Sequence, residues 1–143
     1  MCVQTQGYSM EIMLISLFIA VLLPILAKGP LAVAQRKTGR YDNRNPRTQQ
    51  ANLAGFGARA KAAHENSFEA LILFTPGVLA VVALNAVTES AQYAAMLFVA
   101  ARIVYLIMYW LDQHIMRSLA WFLGYGASLF LIFDAVLQAQ AAA

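Results

Sequence analysis

The chain has 143 residues, of which 61% are hydrophobic and only 12% charged, with a formal charge of +3 and a mean hydropathy of +0.61. A soluble domain carries about a quarter charged residues, so this composition excludes a disordered tail, a secreted disulfide scaffold and an ordinary soluble enzyme, and it predicts a small integral membrane protein. One cysteine, Cys2, permits neither an internal disulfide nor a cysteine metal cluster, and a charge of +3 is too small to imply a nucleic-acid partner.

Four apolar stretches follow one another. The first runs from Met10 to Ala27 with Glu11 as its only charge, the second from Phe68 to Val87 with Glu69. The third runs from Ala91 to Leu111 with Arg102, and the fourth from Leu119 to Leu137 with Asp134. Each approaches the ~20 residues a helix needs to cross the hydrocarbon core. Lipid offers no partner to a bare backbone group, so the spans must be helices. The expected helices cover about 10–35, 63–87, 91–112 and 117–138, in one all-α membrane domain over 1–143: a four-transmembrane-helix bundle. Ala32-Val33-Ala34 has the look of a signal-peptide cleavage site, but Met1–Ser9 holds no basic residue and the apolar run is long for a signal core. The first stretch is therefore read as a span, with Met10 as an alternative start.

Nine of the ten basic residues lie in or beside two connections, 28–61 and 112–117, which fall on the same side of four alternating spans. The remaining connection, Thr88–Ser90, carries only Glu89. The positive-inside rule then puts both basic loops in the cytoplasm, in a multi-pass protein of, by expectation, a bacterial inner membrane. Glu11 and Asp134 fall near the opposite interface, where a carboxylate reaches water. The first loop is the only sizeable polar region, with turn formers at Gly39, Asp42, Asn43 and Pro46.

Ionisable groups at membrane depth are paired or functional. Asn66 and Glu69, three residues apart, share a helix face, and Arg102, Tyr105 and Tyr109 form a stripe that Asp112 and Gln113 continue. With Glu69 about 7 Å inside its expected helix and Arg102 about 13 Å from the cytoplasmic end of its own, the two charges are within reach of each other. A register-fixing ion pair is one reading. The other is a polar pocket completed by Arg117 and Ser118, whose position at the start of the fourth helix would add free amides suited to an anion or thiolate. His64 and His114 lack ligand spacing, and no metal site is expected. Gly124 and Gly126 suit close helix packing, and Tyr41, Tyr109, Trp110 and Trp121 suit interfacial anchors.

The string Ala63-His64-Glu65-Asn66-Ser67-Phe68-Glu69 resembles the second-helix motif of the membrane-associated proteins in eicosanoid and glutathione metabolism, the MAPEG family. Asn45-Pro46 in the first loop, Arg102 and Tyr109 in the third helix, and Arg117-Ser118 at the start of the fourth are similar to that family's pattern, over essentially the whole chain. The resemblance implies a homotrimer that binds glutathione between subunits. It implies Asn66, Glu69, Arg102, Tyr105 and Tyr109 as binding residues, Arg36 or Lys37 as a neighbour's contribution, and Arg117 with Ser118 as the groups that stabilise the glutathione thiolate. Ala62 and Glu65 stand where family enzymes often carry arginines, which removes positive charge from the implied anion site. Tyr105 stands where some members have histidine, and Trp121 where some have tyrosine.

The implied function is a glutathione-dependent transferase or peroxidase acting on a hydrophobic small molecule, an electrophile or peroxide, that enters from membrane lipids. The alternative is a non-enzymatic scaffold, accessory subunit or amphiphile-binding protein of the same fold. A small transporter is disfavoured, because no broken-helix pair or inverted repeat is visible.

Overall fold

The computed structural model describes residues 2–141, with side chains from Met10 onward. Met1, Ala142, Ala143 and the side chain of Cys2 lie outside the described residues. Five helices follow in order: α1 (Cys2–Lys37), α2 (Pro46–Ala51), α3 (Phe56–Ala83), α4 (Glu89–Trp110) and α5 (His114–Ala141). Four of them, all but the single short turn-and-a-half of α2, are long and apolar enough to cross a membrane.

The boundaries differ from those read off hydropathy, for reasons of local chemistry. α3 starts at Phe56 instead of near His64, because the polar stretch ARAKAAHE is rich in strong helix formers. A Lys61–Glu65 ion pair at 3.1 Å, one turn apart, supports it. At the other end α3 stops at Ala83, short of Val87. Asn85 adopts the left-handed conformation (φ 53°), and the amides of Asn85 and Ala86 donate back to the carbonyls of Val82 and Val81. This is a Schellman closure with asparagine in the position glycine usually fills. α4 ends the same way: Asp112 is left-handed (φ 62°), and Asp112 and Gln113 donate to Tyr109 and Met108. Three prolines, Pro24, Pro30 and Pro76, lie inside helices, which neighbouring helices tolerate at membrane depth.

α1 packs on α3 and α4, and α5 packs on the same two helices from the other side, so α1 and α5 lie across the bundle from each other. In one half the core is Met13, Phe74, Val78, Val81, Phe98 and Leu131 with small alanines between them, and Phe74 stacks on Phe98 at 3.8 Å between ring centroids. In the half nearer the basic loops it is Leu23, Ala27, Ala63, Tyr105, Leu106 and Ala120. The perimeter is apolar: Ile72 is 70% and Phe122 65% exposed. So much apolar surface suits lipid or a neighbouring subunit and not water.

The first loop is more ordered than its turn formers suggest. Gln35, fully buried at the end of α1, donates through Nε2 to Gln49 Oε1 at 3.0 Å, and Gln49 donates in turn to the carbonyls of Gln35 and Arg40. Asp42 accepts the amides of Arg44 and Asn45 at 2.9 Å each, an Asx turn leading into Pro46 at the start of α2. Leu53 then docks on Leu31, Ala34 and Ala60.

Asp134 does not reach water as expected near the far interface. It is 7% exposed and accepts a hydrogen bond from Thr88 Oγ1 at 3.1 Å. The same Thr88 oxygen caps α4 by accepting the Ala91 amide at 3.0 Å. The carboxylate therefore clasps the start of α4 to α5.

Candidate functional site

α3, α4 and α5 meet around Arg102, which is 2% exposed on a helix whose buried face is otherwise alanine, phenylalanine, tyrosine and leucine. A buried guanidinium requires acceptors. Its Nη2 donates to Asn66 Oδ1 at 2.9 Å and to the Asn66 carbonyl at 3.4 Å. Asn66 Nδ2 donates onward to Glu69 Oε2 at 2.7 Å. The expected direct contact between Glu69 and Arg102 is thus an indirect one. Asparagine carries an acceptor and a donor on one amide, and only one orientation of that amide satisfies both neighbours. The guanidinium lies 4.1 Å from the Tyr105 ring centroid. On α5, Gly124 leaves the room: a Cβ there would stand 3.3 Å from Arg102 Cδ.

The stripe continues toward the basic loops. Tyr105 meets Tyr109 edge-on at 5.4 Å, and the Arg117 guanidinium lies 4.5 Å from the Tyr109 centroid. Two cations thus flank two aromatic rings along the α4–α5 seam, an arrangement that cation–π attraction favours. Asp112 leaves this stripe. Its left-handed backbone turns it toward Arg59, with which it pairs at 3.2 Å.

Two clefts open along the seam. One, of about 340 Å³, is lined by Tyr105, Tyr109, Arg117, Ser118, Trp121 and Phe122. The other, narrower at about 60 Å³, is lined by Asn66, Glu69, Phe98, Arg102, Gly124 and Tyr125, among others, and again by Trp121. Trp121 is the wall common to both, and it stacks on Tyr125 at 5.2 Å. The structure therefore gathers Asn66, Glu69, Arg102, Tyr105, Tyr109, Arg117 and Ser118 along one seam. Arg36 is exposed in the last turn of α1 and lines neither cleft.

The contribution of the α5 start is not the expected one. α5 begins at His114, so the amide of Arg117 already donates to the Gln113 carbonyl at 3.0 Å. The Ser118 hydroxyl donates to the His114 carbonyl at 2.9 Å. Neither residue offers a free donor from its backbone or hydroxyl proton, and the available positive charge is the Arg117 side chain, which has no ion pair among the described residues. His64 bridges α3 to α1: its Nδ1 lies 2.9 Å from the Pro24 carbonyl, which can only accept, so Nδ1 carries the proton. Gly124 packs closely, as its residue type suggests, and Trp121 adds a cleft wall to its anchor position; their spacing from Arg117, four and seven residues, places both on its helix face.

Among the described residues no cluster of histidine, cysteine, aspartate or glutamate could hold a metal ion. The sequence model of the MAPEG family matches residues 12–137. No curated protein and no solved structure matches the chain.

Proposed function

The chain belongs to the MAPEG family and is an integral multi-pass membrane protein, and from that premise we propose that it is a glutathione-dependent transferase or peroxidase for lipophilic electrophiles or peroxides, assembled as a homotrimer. The observation that carries the reading is the Arg117 guanidinium, without an ion pair among the described residues, in a cleft of about 340 Å³ that shares Trp121 with the Asn66–Glu69–Arg102 cluster.

The residues fit glutathione group by group. Glu69 is exposed on the surface of one chain and spends one oxygen on Asn66, leaving the other to accept an ammonium. Arg117 supplies the cation for a thiolate. A guanidinium stays charged at every working pH, and a free thiol is mostly protonated near neutrality because its pKa is ~8.5, so a fixed positive charge raises the fraction present as thiolate. Carboxylates need further cations. Ala62 supplies none, and Glu65 occupies Lys61, so exposed Arg36 of a neighbouring copy is the proposed source. Trp121, Phe122 and Tyr125 give an apolar wall for a lipophilic co-substrate arriving from the bilayer. The exposed Glu69 at membrane depth is also the reason for the proposed trimer, since a carboxylate facing lipid is costly.

A second reading, a scaffold or amphiphile-binding subunit without catalysis, is favoured by Arg102 itself. Its acceptors come from its own chain, as a purely structural cluster would have them. Titration of the purified protein with glutathione at neutral pH, followed by thiolate absorbance, separates the two. The enzyme reading requires a thiolate signal that saturates. No binding at millimolar glutathione would leave the scaffold reading in its place.

A further inference from the structure

A third cleft, of about 410 Å³, lies outside the seam, between α2 and the first turns of α3. Arg47 and Gln50 stand on one wall, and Lys61, His64, Glu65 and Phe68 on the other. Both walls are fixed to α1. Buried Gln50 donates to Gln35 Oε1 at 3.4 Å, and His64 donates to the Pro24 carbonyl at 2.9 Å. Phe68 begins the apolar run of α3 and is 48% exposed, so the cleft starts among the basic residues of the loop and ends on a ring at the edge of the hydrocarbon. Its charges are Arg47, without an ion pair among the described residues, and Lys61, paired with Glu65 at 3.1 Å. The cleft therefore holds one net positive charge in a volume typical of small-molecule sites.

We propose that this cleft binds the phosphate of a phospholipid from the leaflet that meets the basic loop. Arg47 holds the phosphate diester, while Lys61 stays on Glu65. Phe68 takes the start of the acyl region. A phosphate diester carries one negative charge and matches the net charge of the cleft. Guanidinium is the side chain best shaped for phosphate oxygens. The position at the hydrocarbon edge selects a lipid over a soluble phosphate, because only a lipid also covers Phe68.

The test is native mass spectrometry of the purified, delipidated protein, titrated separately with phosphatidylethanolamine, phosphatidylglycerol, diacylglycerol of the same chain length, and glycerol phosphate. Both phospholipids should give one saturable adduct per chain, and neither diacylglycerol nor glycerol phosphate should match them. Arg47→Gln should weaken the adduct about fivefold, the effect of one cation near a membrane surface. Arg40→Gln, which removes the same charge outside the cleft, should leave it unchanged. Ala51 also lines the cleft, so Ala51→Trp, which fills it without altering charge, should also weaken the adduct, and the assignment does not rest on one variant. Equal binding of diacylglycerol or of glycerol phosphate, or equal behaviour of Arg47→Gln and Arg40→Gln, would overturn the proposal.

Discussion

Arg102 is bound by Asn66 and not by an acid: its Nη2 lies 2.9 Å from Asn66 Oδ1, and Glu69 enters only through the other end of the same amide, at 2.7 Å. Hydrogen bonds to charged groups are worth about 1.5–3 kcal/mol. Asn66→Ala should therefore destabilise the protein by roughly 2 kcal/mol, since it leaves a buried guanidinium with only the longer bond to the residue 66 carbonyl. Glu69→Gln should cost less. Double-mutant cycles read by thermal unfolding in detergent should give a larger coupling for Asn66 with Arg102 than for Glu69 with Arg102. The reverse order would mean that the acid binds the arginine directly.

Glycines on the long helices should respond by position. A Cβ on Gly77 would meet Leu131 Cβ at 2.8 Å, and one on Gly124 would meet Arg102 Cδ at 3.3 Å, whereas Gly126 has nothing within 4 Å. Gly77→Ala should cost about 1–3 kcal/mol, the range for overpacking a tight interface. Gly124→Ala should cost less, because an arginine methylene can give way, but it should displace the guanidinium. Gly126→Ala should be neutral or mildly stabilising, as alanine is the better helix former. Melting temperatures of the three variants in one detergent check the ranking.

Arg117 separates the catalytic reading from an anchoring one. Its amide is already hydrogen-bonded to Gln113, so the side chain alone must favour a thiolate. Arg117→Ala should abolish the glutathione thiolate signal without changing the oligomeric state. Arg117→Lys keeps the charge but loses the planar fork and its place over the Tyr109 ring. A marked defect in Arg117→Lys is expected from an enzyme, and wild-type behaviour from a residue that serves only as a positive anchor.

At the opposite end of the bundle, Thr88 caps α4 and donates to Asp134. Loss of an N-cap costs about 0.5–2 kcal/mol, and here it also strips a buried carboxylate of its donor. Thr88→Val should therefore cost more than an ordinary cap loss, while Thr88→Ser should be close to neutral. Adding Asp134→Asn to Thr88→Val should recover part of the loss, because the group left behind is then uncharged. Unfolding measurements on the wild type, Thr88→Val, Asp134→Asn and the double variant supply the cycle, with Thr88→Ser as the control.

Hydropathy is a local quantity, and what depends on it was legible from the sequence: four spans, their order, and which residues are ionisable at membrane depth. The motif around Asn66 and Glu69, with Arg102 and Arg117-Ser118 downstream, was enough to state the family resemblance that the match over residues 12–137 then established. Helix ends were less legible, because they follow backbone chemistry and not polarity. The polar stretch ahead of His64 is helical through propensity, and α3 and α4 end where Asn85 and Asp112 turn left-handed.

The partners of each charge were decided only by the tertiary structure. Sequence spacing puts Arg102 within reach of Glu69, but the guanidinium takes whichever acceptor the packing of α3 against α4 brings nearest, and that is Asn66. The same holds for Asp134, whose clasp with Thr88 joins residues 46 positions apart. Periodicity within one helix says which face a residue occupies. It does not say what a second helix sets opposite that face, because this depends on the crossing geometry and on where glycine lets two helices close.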